Sequence, residues 1–255
     1  MYAEERQQSI SALVHQFGRV AVTELADRYG VTTETVRRDL AALERMGLVR
    51  RVHGGAVPAG ALTALEPGTA EREFAHADEK DRIARAALDY LPLTGGSIIL
   101  DAGTTTGRVA AMLPGDRELT VVTNCVPIAA RVSGFAGIRL HLLGGRVRGL
   151  TQAAVGADAL RVLGSLRVDV AFVGTNALTV GHGLSTPDPD EAEVKRAMID
   201  AAQQVVVVAD SSKIGVEHMI SFGAAARIDV LVTDSDISIA ARKELQEYGI
   251  EVVVA

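Results

Sequence analysis

The sequence predicts a two-part protein: an N-terminal all-α winged helix-turn-helix unit, then a C-terminal α/β domain with a mainly parallel sheet. Three observations predict it. Residues 5–46 carry apolar positions at helical spacing, broken by glycines at 18 and 30. The stretch "VPAGALTALEPGTA", residues 57–70, holds two of the seven prolines, few charges and no periodicity, as a connector would. From Glu71 onward, short apolar runs alternate with helical segments, the pattern of strands covered on both faces. The expected organisation is 1–57 as the first domain, 58–70 as a linker and 71–255 as the second domain.

In the first part, "EERQQSISALVHQFG" places Ile10, Leu13, Val14 and Phe17 on one helical stripe ending at Gly18. "VTELADRYG" follows, with Thr23 as the expected N-cap, Leu25 and Ala26 facing inward and Gly30 ending the helix. After a tight turn, Thr32 or Thr33 caps a third helix running to about Met46, with Val36, Leu40 and Leu43 inside. A short helix, a glycine-containing turn and a second helix make a helix-turn-helix.

At about 100° per residue from Val36, Arg38 and Glu34 point away from the core, Arg37 lies on the flank, and Thr33 and Thr35 sit near the exposed first turn. Such a face suits a recognition helix, whose N-terminal residues meet base edges while arginines fork onto guanine or reach phosphate. "LVRRVHGGAV" then reads as a β-wing bringing Arg50, Arg51 and His53 to the flanking backbone. An isolated arginine doublet on a helix is ordinarily a solvated face. Here it lies on the second helix of a helix-turn-helix with a basic wing behind it, which implies DNA. Asp39 would repel phosphate, so a structural pairing is expected for it, with an arginine of the wing as the partner considered.

The net charge of −6 is unevenly spread: residues 1–57 hold 8 Lys+Arg against 7 Asp+Glu, leaving 18 against 25 for residues 58–255. Local clustering, not whole-chain charge, sets the field a phosphate backbone meets. The lone Cys125 excludes an internal disulfide framework and reads as a small core residue. The six histidines, at 15, 53, 76, 141, 182 and 218, show no metal-ligand spacing, so no metal is expected. The runs "QVVVV" and "EVVVA" are too short to span a bilayer, and no signal segment opens the chain. A soluble, cytoplasmic protein without a membrane partner is the expectation.

In the second part the strands are read from "SIILDAG", "LTVVTN", "IRLHLLGG", "VDVAFVG", "QVVVVAD", "IDVLVTD" and "IEVVVA". No GxGxxG or GxxxxGK[ST] occurs, so no dinucleotide cofactor and no P-loop is supported. Ligands of such sheets sit at the carboxyl ends of strands. There "LDAGTTTG" supplies Asp101, Gly103 and the hydroxyls of Thr104, Thr105 and Thr106 where a helix begins, an arrangement that can cradle an anion or merely cap the helix. Further strand ends add Thr123 and Asn124, Gly144 and Gly145, and Gly174, Thr175 and Asn176. Lys195 and Lys213 are candidate neutralising cations, against the ordinary reading of lysine as solvated.

The stretch "TETVRRDLAALERMGLVRRVHGGA" resembles the helix-turn-helix signature of the DeoR family of bacterial transcriptional regulators, and the later segments, in order, are similar to that family's sensor domain. The resemblance implies a sensor fold related to ribose-5-phosphate isomerase, an effector such as a hexose or ketose phosphate, and repression of sugar uptake or metabolism relieved by that effector. It places Asp101, Gly103 to Thr106, Thr123, Asn124, Gly174 and Lys213 in the effector pocket. "VTNCVPIA" and "GTNALTVGHGLST" look most like repressors of sugar-uptake and phosphotransferase genes.

The rival expectation is an isomerase carrying a DNA-binding module. Moving a proton between adjacent carbons needs a positioned carboxylate. The related isomerases place acids in a "DGAD" turn, where this chain reads Val173, Gly174, Thr175, Asn176. Asp188, Asp190 and Glu191 could replace them, but acids before a helix more often cap it. No catalytic residue and no enzyme activity is therefore expected. One helix-turn-helix reads one half-site, so a homodimer or homotetramer on double-stranded operator DNA is expected.

Overall fold

The computed structural model describes residues 3–17, 20–52, 54–58 and 68–255. The chain divides into two compact units, Met1–Leu65 and Glu66–Ala255.

The first unit contains α1 (Ala3–Phe17), β1 (Val20–Ala21), α2 (Val22–Tyr29), α3 (Thr33–Arg45), β2 (Val49–Val52) and β3 (Gly55–Pro58). Ile10, Val14, Leu25, Val36, Leu40 and Leu43 form its core, as their spacing predicts. Phe17 departs from the expected stripe: it is exposed at the last position of α1, so the buried stripe ends at Val14. Thr23 is not the cap of α2. The helix begins at Val22 behind an extended Ala21, because Val20 and Ala21 form a short strand antiparallel to β3. That strand passes so close that a Cβ on Gly55 would lie 2.0 Å from the Val20 carbonyl oxygen. Only glycine fits there, which explains part of the Gly-Gly turn. The three strands pair in the order β1-β3-β2.

The second unit runs α4 (Thr69–Phe74), α5 (Ala77–Ala87), β4 (Ser97–Leu100), α6 (Thr104–Met112), β5 (Leu119–Thr123), α7 (Val126–Val132) and β6 (Ile138–Leu142). It continues through β7 (Arg146–Arg148), β8 (Ala153–Val155), α8 (Ala157–Leu163), β9 (Val168–Val173), β10 (Ala177–Thr179), β11 (Gly183–Thr186) and α9 (Pro189–Ala201). The remainder is β12 (Ala202–Val208), β13 (Ile220–Gly223), β14 (Val230–Thr233), α10 (Ile239–Glu247) and β15 (Glu251–Val254).

All seven apolar runs read from the sequence become strands of one parallel sheet, ordered β15-β14-β12-β9-β4-β5-β6. Ile98, Ile99, Leu100, Phe172, Val206 and Leu231 are fully buried at its centre. From β4 the chain builds outward through β5 to β6, then crosses to β9 on the other side and builds through β12 and β14 to β15. The order therefore reverses between β4 and β9, where a doubly wound sheet opens a crevice at its carboxyl edge. Two smaller pieces join the sheet: an antiparallel hairpin of β7 and β8, and a three-stranded sheet ordered β10-β11-β13.

Candidate functional site

The N-terminal unit presents one polar helix face. Thr32 caps α3 by accepting from the Thr35 N–H at 3.2 Å, and the two threonine hydroxyls lie 3.0 Å apart. Thr33 and Thr35 are half-buried in the first turn, whereas Glu34, Arg37 and Arg38 point to solvent, the Arg38 side chain being 80% exposed. The Glu34 carboxylate lies between both arginines, 3.5 Å from Arg38 Nε and 3.8 Å from an Arg37 guanidinium nitrogen. Exposed pairs at such distances are weak and leave the guanidinium groups available to another anion.

Asp39 faces the opposite way. It is buried and accepts from Arg6 Nε and, at 3.0 Å, from Gln7 Nε2 of α1. These partners come from α1 and not, as expected, from the wing; of the wing arginines, Arg51 donates to Glu44 of α3 through its backbone N–H and its guanidinium. One helical turn on from Val36, Asp39 falls inside the core stripe, where α1 packs against α3. Arg50 is half-buried, and burial pushes its pKa down. His53 lies outside the described residues.

In the second unit the strand ends meet at the sheet's reversal. Asp101 leaves β4 and Gly174 leaves β9; the Gly174 N–H donates to Asp101 Oδ2 at 2.9 Å. Lys195, in the second turn of α9, donates to the same carboxylate and to the Gly174 carbonyl at 3.1 Å. Both charged side chains are buried, and the ammonium lies 5.6 Å from the centre of the Phe222 ring. Burial pushes the Asp101 carboxyl up, opposed by the Lys195 charge and the Gly174 N–H.

Beside this pair the N-terminus of α6 opens. Thr104 and Thr105 are largely buried and make no side-chain hydrogen bond among the described residues. The hydroxyl of Thr106 is spent, donating to the Gly103 carbonyl at 3.0 Å, so two hydroxyls remain of the three expected. Lys213 follows β12, half-buried, in a turn that starts at Asp210.

Other strand-end residues serve the frame. The Thr123 hydroxyl donates to Leu100 O at 2.6 Å and accepts from the Cys125 N–H at 3.1 Å. Asn124 exchanges two hydrogen bonds with Ala154 of β8, through Nδ2 and its own carbonyl. Thr175 closes its own turn on Ala177, with the partly buried Asn176 inside that turn. Gly144 and Gly145 are not brought to the reversal: they follow β6, the outermost strand. Gly145 adopts φ +135°, and a Cβ there would lie 2.6 Å from the Val155 carbonyl oxygen, so it is required for hairpin packing. Cys125 is buried beneath these turns, and burial pushes its thiol up.

The acids considered as replacements for the missing pair are committed elsewhere. Asp188 caps α9, accepting from the Glu191 N–H at 2.9 Å, and pairs with Arg148; Asp190 pairs with Arg146; Glu191 accepts from Arg148 and Thr151. They clamp the β7–β8 hairpin to the start of α9.

One cation at this edge was not anticipated. Lys80 of α5 is buried, donates to the carbonyls of Arg72 and Ala75, and lies within electrostatic reach of Asp210, Lys213, Arg108 and Glu73. Burial, the largest influence, lowers its pKa to about 8. The signal was present: Lys80, Ile83, Ala84 and Ala87 lie on one helical stripe, and a lysine on an apolar stripe is not a solvated one.

Among the described residues, no cluster of His, Cys, Asp or Glu could hold a metal ion, and no helix is long and apolar enough to cross a membrane.

Residues 6–59 match the model of the DeoR-like helix-turn-helix domain, and residues 75–235 that of the DeoR C-terminal sensor domain. The HTH-type transcriptional regulator GlpR of Haloferax volcanii is 37% identical over 253 residues, covering 99% of this chain and 98% of that protein. The glycerol-3-phosphate regulon repressor of Escherichia coli is 30% identical over 253 residues, covering 98% of each. A solved ribose 5-phosphate isomerase A from Methanocaldococcus jannaschii aligns with 55% of each chain at 18% identity and a TM-score of 0.41.

Proposed function

The chain belongs to the DeoR family of DNA-binding transcriptional regulators, and from that premise we propose that it represses sugar-uptake or sugar-metabolism genes and leaves its operator when a phosphorylated sugar enters the sensor domain. The division of labour follows the sequence: 1–57 reads DNA, 58–70 links, and 71–255 senses. A hexose or ketose phosphate is the favoured effector, and a cytoplasmic homodimer or homotetramer the working form, since each recognition helix reads one half-site.

At the operator, Thr33, Glu34 and Thr35 approach the groove at the start of α3, Arg37 and Arg38 fork onto base edges or phosphate, and Arg50 and Arg51 meet the flanking backbone. The pairing with Glu44 fixes the direction of Arg51 while using part of its charge.

The observation that carries the effector assignment is the convergence of buried groups at the sheet's reversal. The α6 N-terminus, Thr104, Thr105, Lys213 and Lys80 suit the phosphate; the Asp101–Lys195–Gly174 cluster suits the sugar hydroxyls. Binding shifts the DNA-reading units only by its differential affinity for the two arrangements. The relatives matched are regulators, and the turn Val173–Asn176 offers no proton-transfer acid, so the isomerase reading is not favoured.

The test is fluorescence anisotropy on DNA upstream of the gene's own neighbourhood, at fixed salt, with a panel of hexose and pentose phosphates. Release by one phosphosugar supports the proposal. Phosphosugar binding that leaves operator affinity unchanged defeats it.

A further inference from the structure

Helix α4 opens the described part of the sensor unit, yet none of its side chains is buried, and its Phe74 is 84% exposed. Apolar burial therefore does little to hold α4, and polar links must. At its start, the Leu150 carbonyl accepts from both the N–H (3.2 Å) and the hydroxyl (2.7 Å) of Thr69. At its end, Lys80 Nζ donates to the carbonyls of Arg72 and Ala75, and Arg108 donates to the Glu73 carbonyl at 2.8 Å while pairing with its carboxylate at 3.1 Å.

Both anchors lead to the strand-end pocket. Leu150 lies in the turn between Arg148 and Thr151, which both bind Glu191 of α9. Glu191 stands one turn before Lys195, the partner of Asp101. Arg108, which holds Glu73, stands in α6, the helix whose N-terminus forms the cradle, and Lys80 lies within electrostatic reach of Arg108, Lys213 and Asp210. An ammonium has three N–H donors, and two are on α4 carbonyls, leaving one for an anion.

We propose that α4 is a polar latch governed by pocket occupancy, with the Lys80 ammonium shared between the last carbonyls of α4 and the bound anion. The proposal rests on reading the pocket as an anion site. An anion on the third N–H holds the ammonium in place, so the Arg72 and Ala75 carbonyls keep their partner for a larger fraction of time. Helix α4 is then firmer in the occupied state than in the empty one, and it is the helix that follows the connector from the DNA-reading unit. A local element with few apolar contacts has a low opening free energy, so a small change in its hold is a large change in its population.

The experiment is hydrogen exchange on the full chain, on the millisecond-to-second scale, with and without inorganic phosphate. Slower exchange at the start of α6, residues 104–108, reports the seated anion; several-fold slower exchange across residues 70–75 in the same sample is the expected result. Slowing at α6 with α4 unchanged or faster overturns the latch and leaves the pocket standing. Slowing at neither overturns the pocket reading and the latch with it. Thr69→Val removes one exposed hydroxyl bond and touches no pocket group. It should speed α4 exchange several-fold in the empty protein without altering phosphate protection at α6. Exchange identical to the parent's would mean that polar links do not hold α4, which also overturns the proposal.

Discussion

Lys195 meets Asp101 across 94 residues of sequence, joining α9 to the end of β4 through two buried charges of opposite sign. Removing one partner leaves the other charged in a dry site, which costs about 3–5 kcal/mol. Lys195→Met should therefore lower the stability of the sensor unit by that order. Because the unpaired Asp101 then has a folded pKa above its unfolded one, the loss shrinks as pH falls through that raised value. Thermal unfolding at two pH values tests both statements, and parent-like unfolding would remove the pair from the stabilising interactions.

Arg38→Ala acts on a different unit. Among the described residues its one ion pair is with Glu34, at 3.5 Å on the surface, so stability should be unchanged. Operator binding should weaken by about 1–3 kcal/mol, with relaxed preference at one base pair, if Arg38 forks onto a guanine. Anisotropy on singly substituted operators decides; a loss uniform across all substitutions would assign Arg38 to phosphate instead.

Thr105→Asp places a carboxylate where the proposed phosphate sits. Coulomb repulsion in a partly dry pocket should abolish release by phosphosugars while leaving operator affinity intact. Normal induction in this variant would reject the cradle at the start of α6.

The pH dependence of effector binding follows from Lys80, whose pKa burial lowers to about 8. Its charged neighbours are Asp210 and Lys213 after β12, Arg108 of α6 and Glu73 of α4. A bound anion raises that value. About one unit below pH 8 the ammonium is already charged, and affinity is flat down to about pH 6, where the phosphate ester takes up its own proton. As pH rises further, binding must take up a proton and affinity falls until the raised pKa is passed. Phosphate esters are fully ionised by then, their second pKa being about 6. Calorimetry near pH 8.5 in buffers of different ionisation enthalpy should show proton uptake in the parent and none in Lys80→Met.

Much of this was legible in the sequence because parallel strands buried on both faces leave short, valine- and isoleucine-rich apolar runs bounded by turn residues. The same logic explains the gaps. The β7–β8 hairpin is short and reads "RVRGLTQAAV", its partners being acids on α9 that local patterning does not reveal. Val20–Ala21 is a strand only because Gly55 admits it. Asp39 was recognised as structural, but its partner lies 33 residues earlier in α1, and no local periodicity names a tertiary partner. Lys80 is legible only through its place on the apolar stripe of α5, since a lysine by residue type alone reads as solvated.

The contact between Arg6 and Asp39 gives the first turns of the chain a say in how the DNA is read. Asp39 directly follows Arg38, so α1 grips the recognition helix from behind, at the point where its outer side carries the arginines. Gln7 adds a second hold. Arg6 and Gln7 thus hold, from its buried side, the helix that carries Arg37 and Arg38. A protein begun at residue 8 should retain every side chain of the DNA-facing surface and still bind its operator less tightly, a loss that restoring Arg6 and Gln7 would reverse.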